Sequence, residues 1–277
     1  MHRWLRRGLL FLVSIGLFLG IDVLFIEPAR LVVNRKELRL PNWPAELSGM
    51  RVALLSDLHV GSPHWSLERL RELVREVNAE QPDLILLGGD YQINGVWFGN
   101  HVEAEPIAQE LGQLRAPLGV FAVLGNHDWW NDGAKARAAL EAHGLTVLDD
   151  EVRRIHFRGK NVCLLGVRDE YERVRSAQKE LELALPGMPL IVLMHEPDLF
   201  ADFDQRATLT LAGHTHGGQV DLPFLGRRVV PSRFGARYAA GHIVENGRHL
   251  FVTTGVGTSI IPVRFRVPPE IALLTLR

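Results

Sequence analysis

From Met50 onward the chain repeats one arrangement: a short, wholly apolar run, then a polar cluster, then a stretch with helical spacing. Apolar runs of four to six residues are too short for ordinary helices and suit strands buried on both faces. Strands are therefore predicted over 52–55, 84–87, 120–124, 162–167, 190–194, 208–211, 251–254 and 271–276. Between the first two, Leu67, Leu70, Leu73, Val74 and Val77 recur at helical spacing behind Ser66, a good N-cap. A second helix is predicted over 134–143. Alternation of strand and helix argues an α/β architecture, with sheets covered by helices. No repeat, low-complexity tract or linker divides 50–277.

The apolar runs end in polar clusters of one chemical character. These are Ser56-Asp57-Leu58-His59, Gly88-Gly89-Asp90, Gly125-Asn126-His127-Asp128, His195-Glu196-Pro197 and Gly213-His214-Thr215-His216-Gly217-Gly218. In open α/β sheets the ligand crevice lies at the carboxyl ends of the strands, so five such clusters can converge there. Asp57 and His59, and likewise His214 and His216, project to one side of an extended chain. Carboxylates, imidazoles and an amide oxygen, with no thiolate, suit Mn, Fe or Zn better than Ca or Mg. An isolated Asp-x-His is more often a solvated turn, and an isolated histidine more often a satisfied surface group. The conjunction carries the argument for a metal centre.

The first thirty residues differ in character. Residues 8–26 are almost continuously apolar and follow Arg3, Arg6 and Arg7. At 1.5 Å per residue this stretch reaches about 28 Å, enough for a bilayer core. Asp22 lies near one end, where a carboxylate costs least. The favoured reading is a single-pass membrane anchor over 1–27. Arg6-Arg7-Gly8-Leu9-Leu10 also resembles a twin-arginine export signal, but no small-x-small cleavage site follows. Arg30, Arg35, Lys36 and Arg39 nearly balance the preceding arginines, so charge does not set the membrane face. Residues 28–49, with Pro28, Pro41 and Pro44, read as a short connecting segment, and 50–277 as the catalytic domain. Net charge of −1 supplies no basic field, so no nucleic-acid partner is expected. The single cysteine, Cys163, excludes an intrachain disulfide and a cysteine zinc site, and reads as a small buried hydrophobe.

Taken in order, Asp57-x-His59, Gly89-Asp90, Gly125-Asn126-His127-Asp128, His195 and Gly213-His214-x-His216 resemble the calcineurin-like metallophosphoesterase signature. The stretch Gly255-Val256-Gly257-Thr258-Ser259 with Pro262-Val263-Arg264-Phe265 is similar to a membrane-associated bacterial branch. Some of its members cleave the pyrophosphate of UDP-2,3-diacylglucosamine. One departure is the absence of an acidic residue between Tyr91 and Asn94. The resemblance implies a four-layer sandwich, two central β-sheets flanked by helices, with an N-terminal transmembrane helix. It implies two divalent transition-metal ions, manganese, iron or zinc. Asp57, His59 and His216 would hold the first, Asn126, His195 and His214 the second, and Asp90 both. His127 would face the substrate as a catalytic residue, with Asp128 beside it, either orienting the imidazole or serving as an N-cap or turn residue. The implied activity is phosphoric ester hydrolysis, of a phosphoester or pyrophosphate, by hydroxide generated at the metal pair. A lipid-linked substrate and a bacterial inner-membrane location, or export after signal cleavage, are the corresponding expectations.

Two alternatives stand beside this: a membrane-tethered metal-binding protein without activity, and a different binuclear hydrolase. The early His-x-His motifs of metallo-β-lactamase-like enzymes and amidohydrolases are absent. Arg227, Arg228, Arg233 and Arg237, among Phe224, Leu225 and Phe234, could meet anionic headgroups or belong to a solvated loop. Trp97 and Phe98 could form a membrane-facing tip, and Trp129 and Trp130 could line the pocket. Asp149, Asp150 and Glu151 read as a turn.

Overall fold

The computed structural model describes residues 2–168, 181–182 and 186–277. Helix α1 (His2–Ile21) continues through a π-type turn (Asp22–Ile26) into a 3-10 turn (Glu27–Ala29) containing Pro28. Two six-stranded sheets follow. The first runs β1 (Val32–Leu38), β12 (Glu270–Leu276), β2 (Met50–Leu55), β3 (Leu84–Leu87), β4 (Val120–Ala122), β5 (Thr146–Val147). The second runs β10 (Gly241–Glu245), β11 (Arg248–Val252), β9 (Leu209–Ala212), β8 (Leu190–Leu193), β7 (Lys160–Gly166), β6 (Glu151–Phe157). Neighbours β2 to β5 are parallel, whereas β12 is antiparallel to β2 and β6 to β7, so both sheets are mixed.

Alternation of side chains explains why the strands are apolar throughout. Val52, Leu54, Leu84 and Leu86 point between the sheets and meet Leu164, Ile191, Leu193 and Leu209. Their neighbours Ala53, Leu55, Ile85 and Leu87 point the other way. They pack under α2 (Leu67–Ala79), α3 (Ala104–Leu111) and α4 (Asn126–Ala142). The outer face of the second sheet carries Cys163, Leu165, Leu190 and Val192, covered by Phe200, Phe203 and Tyr238. Among the described residues that cover includes two 3-10 turns (Pro197–Asp202, Gly235–Tyr238) and the helical residue Leu181. Ser66 caps α2 as its sequence predicts, its hydroxyl accepting from the Arg69 amide. Cys163 is buried, as read.

The segment read as a connector, 28–49, folds into the domain instead. Its strand β1 pairs in parallel with β12 along seven residues, from Val32 opposite Glu270 to Leu38 opposite Leu276. Its polar residues Asn34, Arg35, Lys36 and Glu37 hide the strand from a periodicity search. Helix α4 begins at Asn126, ahead of the predicted 134, with a break at Asp132. Asp149 and Asp150 form a bend, but Glu151 opens β6.

Arg3–Ala29 is long and apolar enough to cross a membrane. Its inner end is fastened to the domain. The Val23 carbonyl accepts from the Arg264 amide (3.1 Å), Pro28 from the Trp65 indole (3.2 Å), and Ala29 from the Arg69 guanidinium (3.2 Å). His64 Nε2 lies 2.8 Å from the Leu24 carbonyl.

Candidate metal centre

Each expected site residue stands just past the carboxyl end of a strand: Asp57 and His59 after β2, Asp90 after β3, His195 after β8, His214 and His216 after β9. Asn126, His127 and Asp128 open α4. Five of these turn sharply through the left-handed region: Asp57 (φ 54), His59 (φ 41), Asp90 (φ 57), His214 (φ 67) and His216 (φ 50). Such backbone costs about 1–3 kcal/mol per residue and persists where surroundings impose it, typically at functional sites. Close approach also demands glycine at two points. A Cβ on Gly125 would lie 2.3 Å from Asp90 Oδ1, and one on Gly213 would lie 2.4 Å from Asp57 Oδ2.

The side chains converge as sequence reading expected. Asp57, His59 and His216 form one group; Asp90, His195 and His214 form another; His59, Asp90 and His127 form a third between them. Asp90 Oδ2 lies 3.2 Å from His195 Nε2 and 3.5 Å from His59 Nε2. Asp90 Oδ1 accepts the His127 amide at 2.9 Å, which fixes the carboxylate and turns the other oxygen inward. The His214 amide donates to both oxygens of Asp57, at 3.0 Å each, and so fixes that carboxylate. Asn126 Oδ1 lies 3.1 Å from His195 Nε2 and 3.0 Å from His214 Nδ1.

These groups fit metal ions. His195 Nδ1 lies 2.7 Å from the Gly88 carbonyl, which can only accept. Nδ1 therefore carries the proton and Nε2 presents a bare lone pair. That lone pair faces Asn126 and Asp90 oxygens and, at 3.2 Å, His214 Nδ1. His59 Nε2 and His216 Nε2 approach to 3.1 Å, while both their Nδ1 atoms are buried without partners. Acceptors crowded against acceptors repel one another unless a cation lies among them. Burial holds His59 and His214 down at about 3 and His216 well below the usual range, so their rings are neutral at pH 7. Burial and then Asp90 work against ionisation of Asp57, pushing it up to about 6. Burial also acts to raise Asp90; in the metal-free site protons on the facing histidines, His195 foremost, would hold it below the usual carboxylate range instead.

His127 is buried at the rim of this centre, edge-on to His59 (centroids 4.6 Å) and under Trp130 (4.8 Å). Asp128 takes the cap and turn role of the two open to it. Its carboxylate accepts from four backbone amides, Asp90 (2.8 Å), Tyr91 (2.9 Å), Gln92 (3.3 Å) and Gly125 (3.0 Å). It pins the Asp90 loop to the start of α4, and no hydrogen bond joins it to the His127 ring. Arg264 is a further structural member that its sequence does not reveal. Fully buried, it donates to the carbonyls of Thr254, Gly255, Gly257 and Val267. That holds 254–257 against the backs of Asp57 and His59, where the Gly257 amide donates to the Asp57 carbonyl. An arginine two residues after a proline looks like any surface arginine; only tertiary contacts bury it. Of the arginines considered for headgroup contact, Arg227 faces Asp221 (3.8 Å), Arg233 faces Asp198 (3.6 Å) and Arg237 pairs with Glu245 (2.6 Å). Trp130 stands at the site, whereas Trp129 lies on the far side of α4 beneath Arg168.

Two mixed sheets with flanking helices, carrying His/Asp clusters beyond the strand ends, define an α/β metallophosphoesterase fold. The chain belongs to the calcineurin-like phosphoesterase family, whose pattern matches residues 50–218. It is 31% identical to the phosphodiesterase YaeI of Escherichia coli K12, over 86% of each chain. It is 29% identical to the uncharacterized metallophosphoesterase YkuE of Bacillus subtilis 168, over 91% of this chain and 88% of that one. A transmembrane protein with a metallophosphoesterase domain from Danio rerio is 29% identical, over 87% of this chain and 56% of its own length.

Proposed function

We propose that the chain hydrolyses a phosphoester or pyrophosphate bond with two divalent transition-metal ions, on a lipid-linked substrate at a membrane surface. The observation that carries the metal reading is the position of Asp90, whose one oxygen is shared between two ligand groups. Asp57, His59 and His216 would hold one ion, and Asn126, His195 and His214 the other, with Asp90 common to both. When bound, such a pair supplies a nucleophile at neutral pH and neutralises phosphate charge. The protein's own residues do the remainder. The Gly88 carbonyl fixes the His195 tautomer, and Asp128 and Arg264 hold the ligand loops rigid. Burial lowers His127, so its neutral ring offers one N–H, which would hydrogen-bond the leaving oxygen and stabilise its developing charge. A single-pass anchor over Arg3–Ala29 is supported by length and composition and would keep the centre near the bilayer.

The test is elemental analysis of the purified full-length protein together with a phosphomonoesterase, phosphodiesterase and pyrophosphatase panel that includes nucleotide-linked lipids. About two transition-metal ions per chain and hydrolysis that stops on chelation are expected. Full activity with one metal or none would refute the assignment.

A further inference from the structure

Beside the metal centre lies a cavity of about 540 Å3, within the range of about 300–1,000 Å3 typical of small-molecule sites. His216 forms part of its wall, so it adjoins the ligand cluster. Val220, Val229, Val230, Ile260, Ile261 and Val263 supply much of its apolar wall. Two of the polar side chains in the lining are engaged with the protein itself. The Thr215 hydroxyl donates to the Ala239 carbonyl (2.7 Å). The Gln219 amide donates to Ile261 O (3.0 Å) and accepts from the Ser259 amide (2.7 Å). Hydrocarbon needs no hydrogen-bond partners from such a wall.

The slot is also continuous with the part of the molecule that meets the anchor. Val263 lines it, and the next residue, Arg264, donates its amide to Val23 at the end of the anchor. Ile260 lines it too, and its carbonyl accepts from the Trp97 amide at 2.8 Å. That contact brings Trp97 and Phe98, 59% and 86% exposed, to the slot's edge, next to exposed Val229 and Ile261. An apolar rim of this kind on a soluble surface marks an interaction site.

We infer that this slot holds a hydrocarbon chain of a lipid phosphoester drawn from the bilayer, with the phosphoryl group presented at the His216 end. Arg228, in the lining, supplies a cation for the phosphate. The inference rests on the phosphoesterase reading above and adds to it a subsite and the residues that form it.

The experiment uses full-length protein in phosphatidylcholine nanodiscs. Ethyl, butyl, hexyl and octyl phosphate compete against bis(p-nitrophenyl) phosphate hydrolysis. Burying one methylene is worth about 0.8 kcal/mol, so inhibition is expected to tighten by up to about fourfold per added CH2. Val230→Trp, which fills the slot, and Ile261→Asp, which makes it polar, are each expected to flatten that chain-length slope. Partition into the nanodisc is common to all variants, so an unchanged slope in both overturns the slot. No slope in the wild type, with hydrolysis intact, overturns the slot and leaves the phosphoesterase reading standing. A second readout needs no turnover: an octyl phosphate with a terminal diazirine is photolysed on the protein. Labelling of 218–222, 228–231 and 259–263, displaced by octyl but not ethyl phosphate, supports the slot even if no substrate is cleaved. Labelling confined to 3–26, or slot-to-slot crosslinks between two chains, overturns it.

Discussion

Asp90 uses its two oxygens differently, and its neighbours expose the consequence. One oxygen is tied to the His127 amide, and the other sits between His59 and His195. Asp90→Asn is therefore expected to lower the content of both metals, whereas His59→Ala should mainly deplete one; inductively coupled plasma analysis distinguishes the two patterns. His127 should behave otherwise. His127→Ala is expected to retain metal while kcat on poor leaving groups falls by roughly 10²–10³, the loss of one donor to a developing oxyanion. His127→Gln, which keeps an N–H, should recover part of the loss, and a substrate with a good leaving group should show a smaller deficit. Metal lost together with activity would make His127 a ligand instead. Arg264→Ala leaves several buried carbonyls without donors, at about 1–3 kcal/mol each. A large drop in Tm, with weakened metal retention on the Asp57 side, is the outcome to look for in thermal melts and metal titration.

At the scale of elements, the apolar N-terminal helix ends in the 3-10 turn at Glu27–Ala29, ahead of β1. Removal of 2–26 spares β1 and the contacts of Pro28 and Ala29. That truncation is expected to give a folded, metal-binding domain. Removal of 2–49 strips β1 from β12 and exposes an apolar sheet edge, a template for aggregation. It also takes Leu38, Leu40, Trp43 and Leu47 out of the inter-sheet core. Insoluble protein from the second truncation and soluble protein from the first would place the boundary; comparable solubility of both would move it.

For the whole molecule, the concentration of neutral histidines predicts how the metal-free protein responds to acid. His59, His127, His214 and His216 all have folded values below the ordinary 6.5. The unfolded chain therefore binds more protons than the folded one below pH 6.5, and their stability contribution, complete above that pH, is lost as pH falls towards about 3. Asp57 and Asp128 oppose this, because burial raises them to about 6 and about 7. Four histidines outweigh two carboxylates, so the Tm of chelator-treated protein is expected to fall between pH 6.5 and 4. Metal-loaded protein should melt higher at pH 7, by mass action. A Tm of the metal-free form that rises on acidification would contradict the electrostatic reading. Membrane attachment is tested at the same scale: an inserted Arg3–Ala29 helix should keep the full chain in the membrane fraction through a high-salt wash.

The chemistry of the centre was legible in the sequence because ligand types and strand ends are local properties. Asp57, His59, Asp90, Asn126, His195, His214 and His216 each follow an apolar run or open a helix, and runs of β2, β3 and β8 are recognisable from four residues. Family signature, fold class and the convergence of clusters follow from that order alone. What the sequence left undecided depends on partners far along the chain. Strand β1 is polar in the middle and becomes a strand because β12, over two hundred residues later, offers it a ladder. Asp128 could be read as a companion to His127 or as a cap, and the folding of 90–92 decides it by bringing three amides to its carboxylate beside the local one of Gly125. Arg264 is buried only because the glycine-rich turn at 254–257 leaves its carbonyls facing inward. Residue type and spacing thus determine which atoms can bind a metal. Tertiary structure decides which polar groups satisfy one another, since a buried donor or acceptor must find a partner and the nearest one in space need not be near in sequence.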